Sequence, residues 1–218
     1  MSNSMRIAFF GSSLVSSYWN GAATYYRGII HALHERGHRV TFFEPDAFER
    51  QQHRDMDDPD WAEVVVYSAD TELGVHRALE QAKGADVVVK ASGVGIFDKL
   101  LEREVLALRS STTTVAFWDV DAPATLERVA GDTTDSFRSL IPRYDLVLTY
   151  GGGPRVVEAY RALGARDCVP VYNALDPATH HPAAADPQQC GGTPGGGREG
   201  ATGRGAADGL QGIRAALA

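Results

Sequence analysis

Residues 5–46, MRIAFFGSSLVSSYWNGAATYYRGIIHALHERGHRVTFFEPD, decide the fold. Arg6 to Phe10 is a short apolar run of strand-forming residues that stops at Gly11-Ser12-Ser13, the pattern of a strand and its exit loop. Ala22, Tyr25, Tyr26, Ile29, Ile30 and Leu33 then recur at spacings of three and four, with Gly37 as a stop, which predicts an amphipathic helix over 21–36. Val40 to Phe43 restarts a strand. Two strands joined through a helix of this length pair in parallel, by a right-handed crossover.

A parallel sheet presents its ligand beyond the carboxyl ends of its strands. Gly11, Ser12, Ser13, Asn20 and Gly21 on the first loop, with Glu44 and Asp46 after the second strand, are therefore candidate binding residues. The competing reading is a unit that serves only to fold the chain. Neither G-x-G-x-x-G nor G-x-x-x-x-G-K-[ST] occurs, so the dinucleotide fingerprint and the P-loop are both missing.

Downstream the alternation continues. Ala62 to Tyr67, Asp86 to Lys90, Thr113 to Trp118, Tyr144 to Thr149 and Cys168 to Tyr172 read as strands, the first of them as a candidate edge. Helical spacing runs from Leu73 to Ala82, Phe97 to Leu108, Ala124 to Ala130 and over 155–163, with a short helix or turn over 133–141. The polar stretch 48–61 reads as a solvated surface, and His31, His34 and His38 as surface histidines. The whole predicts an α/β fold: a doubly wound, mainly parallel, Rossmann-like sheet with helices on both faces.

The chain has 218 residues, of which 44% are apolar, enough for a real core, and a formal net charge of −7. That balance argues against nucleic acid or anionic lipid as a partner. Cys168 and Cys190 are the only cysteines, which implies neither a disulfide framework nor a zinc site and fits a reduced, cytoplasmic compartment. No apolar run reaches transmembrane length. Residues 1–182 are expected to form one Rossmann-like domain. Residues 183–218 form a tail: the stretch 186–212 holds ten of the 23 glycines, too little apolar surface to offset backbone entropy, and is expected to be disordered.

The chemistry is expected at the strand exits. Asp119 and Asp121 leave one strand together, placed to orient sugar hydroxyls or serve as general base, with Phe117 and Trp118 beside them as an apolar platform. Asp121, followed by Ala122-Pro123, equally suits a helix N-cap. Ser92 and Gly93 occupy another exit. Gly151, Gly152 and Gly153 precede a helix start, where their amides suit a phosphate or a sugar hydroxyl, or simply a tight turn. No metal-ligand cluster is present; His180 and His181 lack a third ligand.

These residues also carry a resemblance. RIAFFG followed by NGAATYYRGIIHALHERGHRVTFFE resembles the opening of GT-B glycosyltransferases of the family 4 type. FWDVDAP at 117–123, YDLVLTYGGG at 144–153 and VYNALDPATHHP at 171–182 resemble the CgeB-like spore-maturation glycosyltransferase group, over roughly residues 5–182. The resemblance implies the acceptor-side half of a GT-B fold, transfer of a glycosyl group from a nucleotide-sugar donor to an unknown acceptor, and no metal or resident cofactor. It makes Asn173 to Pro182 the interdomain crossing, after which a donor-binding domain is expected. The glycine-rich tail stands there instead, so the expectation is a truncated or frame-shifted chain, broken near Asp186 to Gln188. Such a chain lacks the transferase activity and leaves its cleft face open to self-association. A non-catalytic nucleotide- or carbohydrate-binding module is the alternative, and an NAD-dependent enzyme a more distant one.

Overall fold

The computed structural model describes residues 4–172. The glycine-rich tail and the crossing at Asn173 to Pro182 lie outside the described residues. Seven strands form one wholly parallel sheet: β1 (Arg6–Phe10), β2 (Arg39–Asp46), β3 (Glu63–Ser68), β4 (Val87–Ala91), β5 (Thr114–Asp119), β6 (Leu146–Thr149) and β7 (Cys168–Pro170), in the spatial order β3-β2-β1-β4-β5-β6-β7. The order reverses between β1 and β4, which makes the exits of these two strands the switch point where doubly wound sheets open a crevice. Glu63–Ser68 is an edge strand, as its position in the sequence suggested.

The register of the central pair follows from aromatic residues. Phe9 lies opposite Phe42 and Phe10 opposite Phe43. The rings of each pair stack, at 5.2 Å and 14° on one face of the sheet and at 4.7 Å and 13° on the other. All four side chains are buried. Each contributes about 2–3 kcal/mol through burial, and a slip of one residue would exchange the faces of the whole strand.

Helices cover both faces unequally. The helix α1 (Ala23–Glu35) sets Tyr25, Tyr26, Ile30 and Leu33 against Ile7, Phe9, Phe42 and Trp118. On the opposite face lie α2 (Glu72–Gln81), α3 (Asp98–Glu104), α4 (Ala122–Gly131), α5 (Ser136–Leu140) and α6 (Gly153–Ala162). Right-handed crossovers explain the division: the step from β1 to β2 runs one way along the sheet and every later helical crossover runs the other. The helical spacing of 97–108 resolves into α3 and a 3₁₀ turn over Val105–Leu108.

Two expectations give way to packing. His38 is buried, its Nδ1 accepting a hydrogen bond from the Met5 amide at 3.2 Å, so it closes the bottom of the sheet and is no surface histidine. Phe117 and Trp118 are both buried, on opposite faces of the sheet, so they offer no platform to a ligand. Adjacent residues of a strand point to opposite faces, and here both faces are core. Among the described residues, no helix is long and apolar enough to cross a membrane.

The first turn of α2 packs directly on the end of β3. A Cβ at Gly74 would stand 1.9 Å from the Ser68 carbonyl oxygen, which belongs to the backbone and cannot swing aside. Gly74→Ala is expected to cost about 2–3 kcal/mol. That should lower the thermal midpoint by about 5–10 °C, read by circular dichroism.

Candidate functional site

The loop leaving β1 is built from the inside. The Phe10–Phe43 register sets Glu44 beside this loop, and its carboxylate, fully buried, accepts from the Ser13 hydroxyl at 2.9 Å, the Leu14 amide at 2.6 Å and the Gln51 side chain at 2.6 Å. Asn20 acts from the other end of the loop. Its Nδ2 donates to the carbonyls of Ser13 and Ser16, and its Oδ1 accepts from the Ser12 hydroxyl at 2.7 Å. Buried polar groups are tolerated when their partners are complete, and here those partners are one another. At Gly11 the Phe42 ring fills the space a Cβ would need, 2.4 Å away, so packing within the sheet explains the glycine.

The charged stretch 48–61 is largely exposed, as a solvated surface would be, but two of its charges are tied into this construction. Arg50 is only 6% exposed; its Nη1 donates to the carbonyls of Ser12 at 3.2 Å and Val94 at 3.4 Å, and its guanidinium lies over the Phe48 ring at 4.9 Å. It joins the exits of β1, β2 and β4. Burial pulls its pKa below the ordinary arginine value, with Glu44 acting in the opposite sense. Asp55 binds the Arg27 guanidinium at 2.5 and 3.2 Å and the Ser17 hydroxyl at 2.6 Å, clamping the same segment to α1. Arginine between charged neighbours looks solvated in sequence, and only the fold brings it under two exit loops.

Across the switch point the exits of β4 and β5 meet at Asp119. This carboxylate is fully buried: Oδ1 accepts from the Ser92 and Thr125 hydroxyls at 2.9 and 3.0 Å and from the Asp121 amide, while Oδ2 accepts a short bond from the Tyr160 hydroxyl. Burial, reinforced by Asp119, pushes the Tyr160 phenol far above its usual range. Asp119 thus ties four elements together and offers no oxygen to solvent. Asp121 is exposed and caps α4, accepting from the Ala124 amide at 3.4 Å. Beside them the wholly buried Lys90 meets Asp98 at 2.5 Å, and Asp98 in turn accepts from the amides of Val94 and Gly95. The β4 exit is therefore held at both ends.

The exit of β6 is a glycine turn. Gly151, Gly152 and Gly153 have φ of +88°, +81° and +59°, conformations that side chains resist, and Pro154 follows in the first turn of α6. Gly152 is exposed and Gly153 partly so, while Gly151 is buried. Gly21 and Gly93 are exposed too, with open space where a Cβ would stand. The expected site residues thus fall into two groups. Gly21, Ser92, Gly93, Asp121, Gly152 and Gly153 reach the surface of the strand-exit edge at least in part. Gly11, Ser12, Ser13, Asn20, Glu44, Asp119 and Gly151 are buried and shape it. Among the described residues, no group of three or more His, Cys, Asp or Glu side chains is placed to hold a metal ion. What the edge presents is backbone amides, one capping carboxylate and a few hydroxyls, a set suited to polar ligands approaching closely.

No family model matches the chain, and no curated protein matches it in sequence. Solved structures match its fold. An α-glucosyltransferase in complex with UDP-glucose and DNA superposes with a TM-score of 0.53 at 16% identity, over 80% of this chain and 44% of the other. A UDP-glucose:anthocyanidin 3-O-glucosyltransferase in complex with UDP gives 0.51 at 10% identity, over 84% and 56%. The chain spans about half the length of these proteins. At such identities the likeness is one of fold, and the fold is glycosyltransferase-like, of the GT-B kind. Since one of these relatives in fold was solved with DNA, the argument against nucleic acid rests on the charge of this chain and not on its architecture.

Two consequences are measurable. Tyr160→Phe removes a donor from a fully buried carboxylate and is expected to cost about 1–3 kcal/mol in urea denaturation; a change below about 0.5 kcal/mol would show that the bond adds nothing net. Asp55 is depressed from its ordinary value near 3.8 to about 2, chiefly by its bond to Arg27 and further by Ser17. A carboxylate whose pKa falls on folding stabilises the folded state above its unfolded pKa, and that contribution is lost as pH drops toward 2. The Asp55 side chain is 41% exposed, so solvent screening holds the effect to about 0.5–1 kcal/mol. The stability gap between wild type and Asp55→Asn should therefore be present at pH 5 and shrink between about pH 4 and pH 2.

Proposed function

We propose that residues 5–172 form the acceptor-side lobe of a GT-B glycosyltransferase, which transfers a glycosyl group from a nucleotide-sugar donor to a hydroxyl-bearing acceptor. The observation that carries this is the convergence of the β1, β4, β5 and β6 exits on one edge of a wholly parallel sheet, in a chain whose fold is glycosyltransferase-like. In this reading the acceptor oxygen attacks the anomeric carbon, the bond from that carbon to the phosphate oxygen breaks, and the nucleotide leaves with the electron pair. Asp121, the exposed member of the Asp119–Asp121 pair, orients the acceptor hydroxyl or takes its proton. Asp119 is a positioning residue that fixes Ser92 and the Asp121 amide. Gly21, Gly93, Gly152 and Gly153 let backbone approach the sugar and its phosphates.

In this reading the donor is gripped mainly by a second lobe, and the described part of the chain supplies the other. This is supported by its coverage of about half of each matching glucosyltransferase. The finer placement with the CgeB-like group rests on FWDVDAP and YDLVLTYGGG at the β5 and β6 exits. A non-catalytic nucleotide- or carbohydrate-binding module remains the second reading, favoured by the burial of Asp119 and Glu44, which takes two carboxylates out of reach of any substrate.

Hydrogen exchange of the full chain with increasing UDP-glucose tests this. Slowed exchange at 92–95 and 151–153, with half-saturation on the order of 1 mM, is expected of one lobe acting alone. Half-saturation on the order of 1 μM would favour the self-contained module. No slowing, or slowing at the opposite edge of the sheet, would overturn the reading.

A further inference from the structure

The β1 exit carries a feature that neither the loop nor the core requires. The Asn20 amide donates to the Ser17 carbonyl at 3.0 Å and closes a four-residue turn, whose third residue, Trp19, has φ +47°. That position favours glycine, and a bulky residue there is an outlier. The chain places an indole at it, 84% exposed, so the strained backbone gains nothing from burial of the ring. Strain of this kind persists where the surroundings over-determine it, and it concentrates at ligand sites. The determinants are visible: the Asn20 side chain fixes one end of the turn to Ser13 and Ser16, and Asp55, held by Arg27, fixes Ser17 at the other.

Trp19 does not stand alone. The Tyr18 ring meets it edge-on at 6.2 Å and 77° and itself stacks on His53 at 4.1 Å and 25°. The Ser16 hydroxyl donates to the His53 carbonyl at 2.7 Å, so the turn and the imidazole are parts of one rigid unit. We propose that Trp19, Tyr18 and His53 form a stacking platform for a pyranose ring of a carbohydrate acceptor. This rests on the reading of the strand exits as a glycosyl-transfer cleft.

The chemistry of the rim selects that occupant. A sugar ring has a face of C–H groups, which stacks on an indole, and an edge of hydroxyls, which needs polar partners. The platform has both: its rings are bordered by the Ser17 hydroxyl, the Asp55 carboxylate and the Glu49 carboxylate, the last 3.8 Å from His53 Nε2. A flat, wholly apolar ligand would strip water from these groups and return no hydrogen bond. A protein surface would need a continuous apolar area, and the exposed charges of Glu49, paired with His53, and of Arg54, next to His53 in the chain, interrupt it here.

The test uses the full 218-residue chain, biotinylated and displayed on streptavidin so that weak single-site binding is read through avidity, on a printed array of several hundred glycans. Wild type should retain a subset of glycans. Trp19→Gly and Tyr18→Ala should lower that signal about ten-fold or more, and Trp19→Phe should recover part of it. Because glycine suits φ +47°, Trp19→Gly should keep its thermal midpoint within about 3 °C of wild type or raise it. A larger fall would make Trp19 a structural residue and overturn the proposal, as would an empty array or equal retention by wild type and Trp19→Gly. The UDP-glucose experiment separates the two readings. Trp19-dependent retention with no slowing of exchange at 92–95 and 151–153 would leave a sugar-binding module and remove the acceptor role. Slowed exchange with an empty array would leave the transferase reading standing and remove the platform.

Discussion

Two stacked pairs of phenylalanines, Phe9 on Phe42 and Phe10 on Phe43, set the register on which the rest of the molecule depends. Parallel strands have evenly spaced, slanted bonds that do not by themselves select a register. Side chains select it, and here each of two adjacent positions is locked on its own face of the sheet. Glu44 comes directly after Phe43 and Gly11 directly after Phe10, so this register delivers the carboxylate to the underside of the β1 exit loop. A shift of one residue would put the carboxylate on the wrong face and leave the amides and hydroxyls of that loop without their acceptor.

The exits are consequently stiff, and by a particular means. Carboxylates act as hubs: the buried Glu44 under the β1 and β2 exits, the buried Asp119 under those of β4 and β5, and the partly exposed Asp98 behind the β4 loop, where it meets the buried Lys90. A carboxylate withdrawn from water needs several well-placed partners, and each of these has them. Because the side chains face inward, what remains for solvent is backbone, glycine and the aromatic residues projected by the turns. A rigid edge that exposes amides and rings suits ligands recognised by shape and hydroxyl pattern.

The strands and helices were legible in sequence because their signals are local. Unbroken β-branched runs such as Val87-Val88-Val89, and glycines after helical spacing, mark element types whatever surrounds them. Site residues were legible in position but not in role. Ser12, Ser13, Asn20, Glu44 and Asp119 all stand at strand exits, yet they turn inward to one another. The roles of Arg50 and Asp55 were hidden in a stretch whose composition is that of a solvated loop, since what a charge is tied to depends on partners tens of residues away. Trp19 carried no motif at all; its meaning comes from an exposed ring on a left-handed backbone, and neither property can be read from the letter W.

By itself the sequence determined a doubly wound, mainly parallel α/β sheet, the order of its elements and the edge at which they converge. Periodicity and crossover handedness are consequences of chirality and of covering each strand with apolar residues, and they need no knowledge of distant contacts. Only the tertiary structure decided which polar groups at that edge face a ligand and which face each other. That choice is made by hydrogen-bond completion between loops far apart in the chain: Glu44 with Leu14, Ser92 with Asp119, and Asp119 with Tyr160.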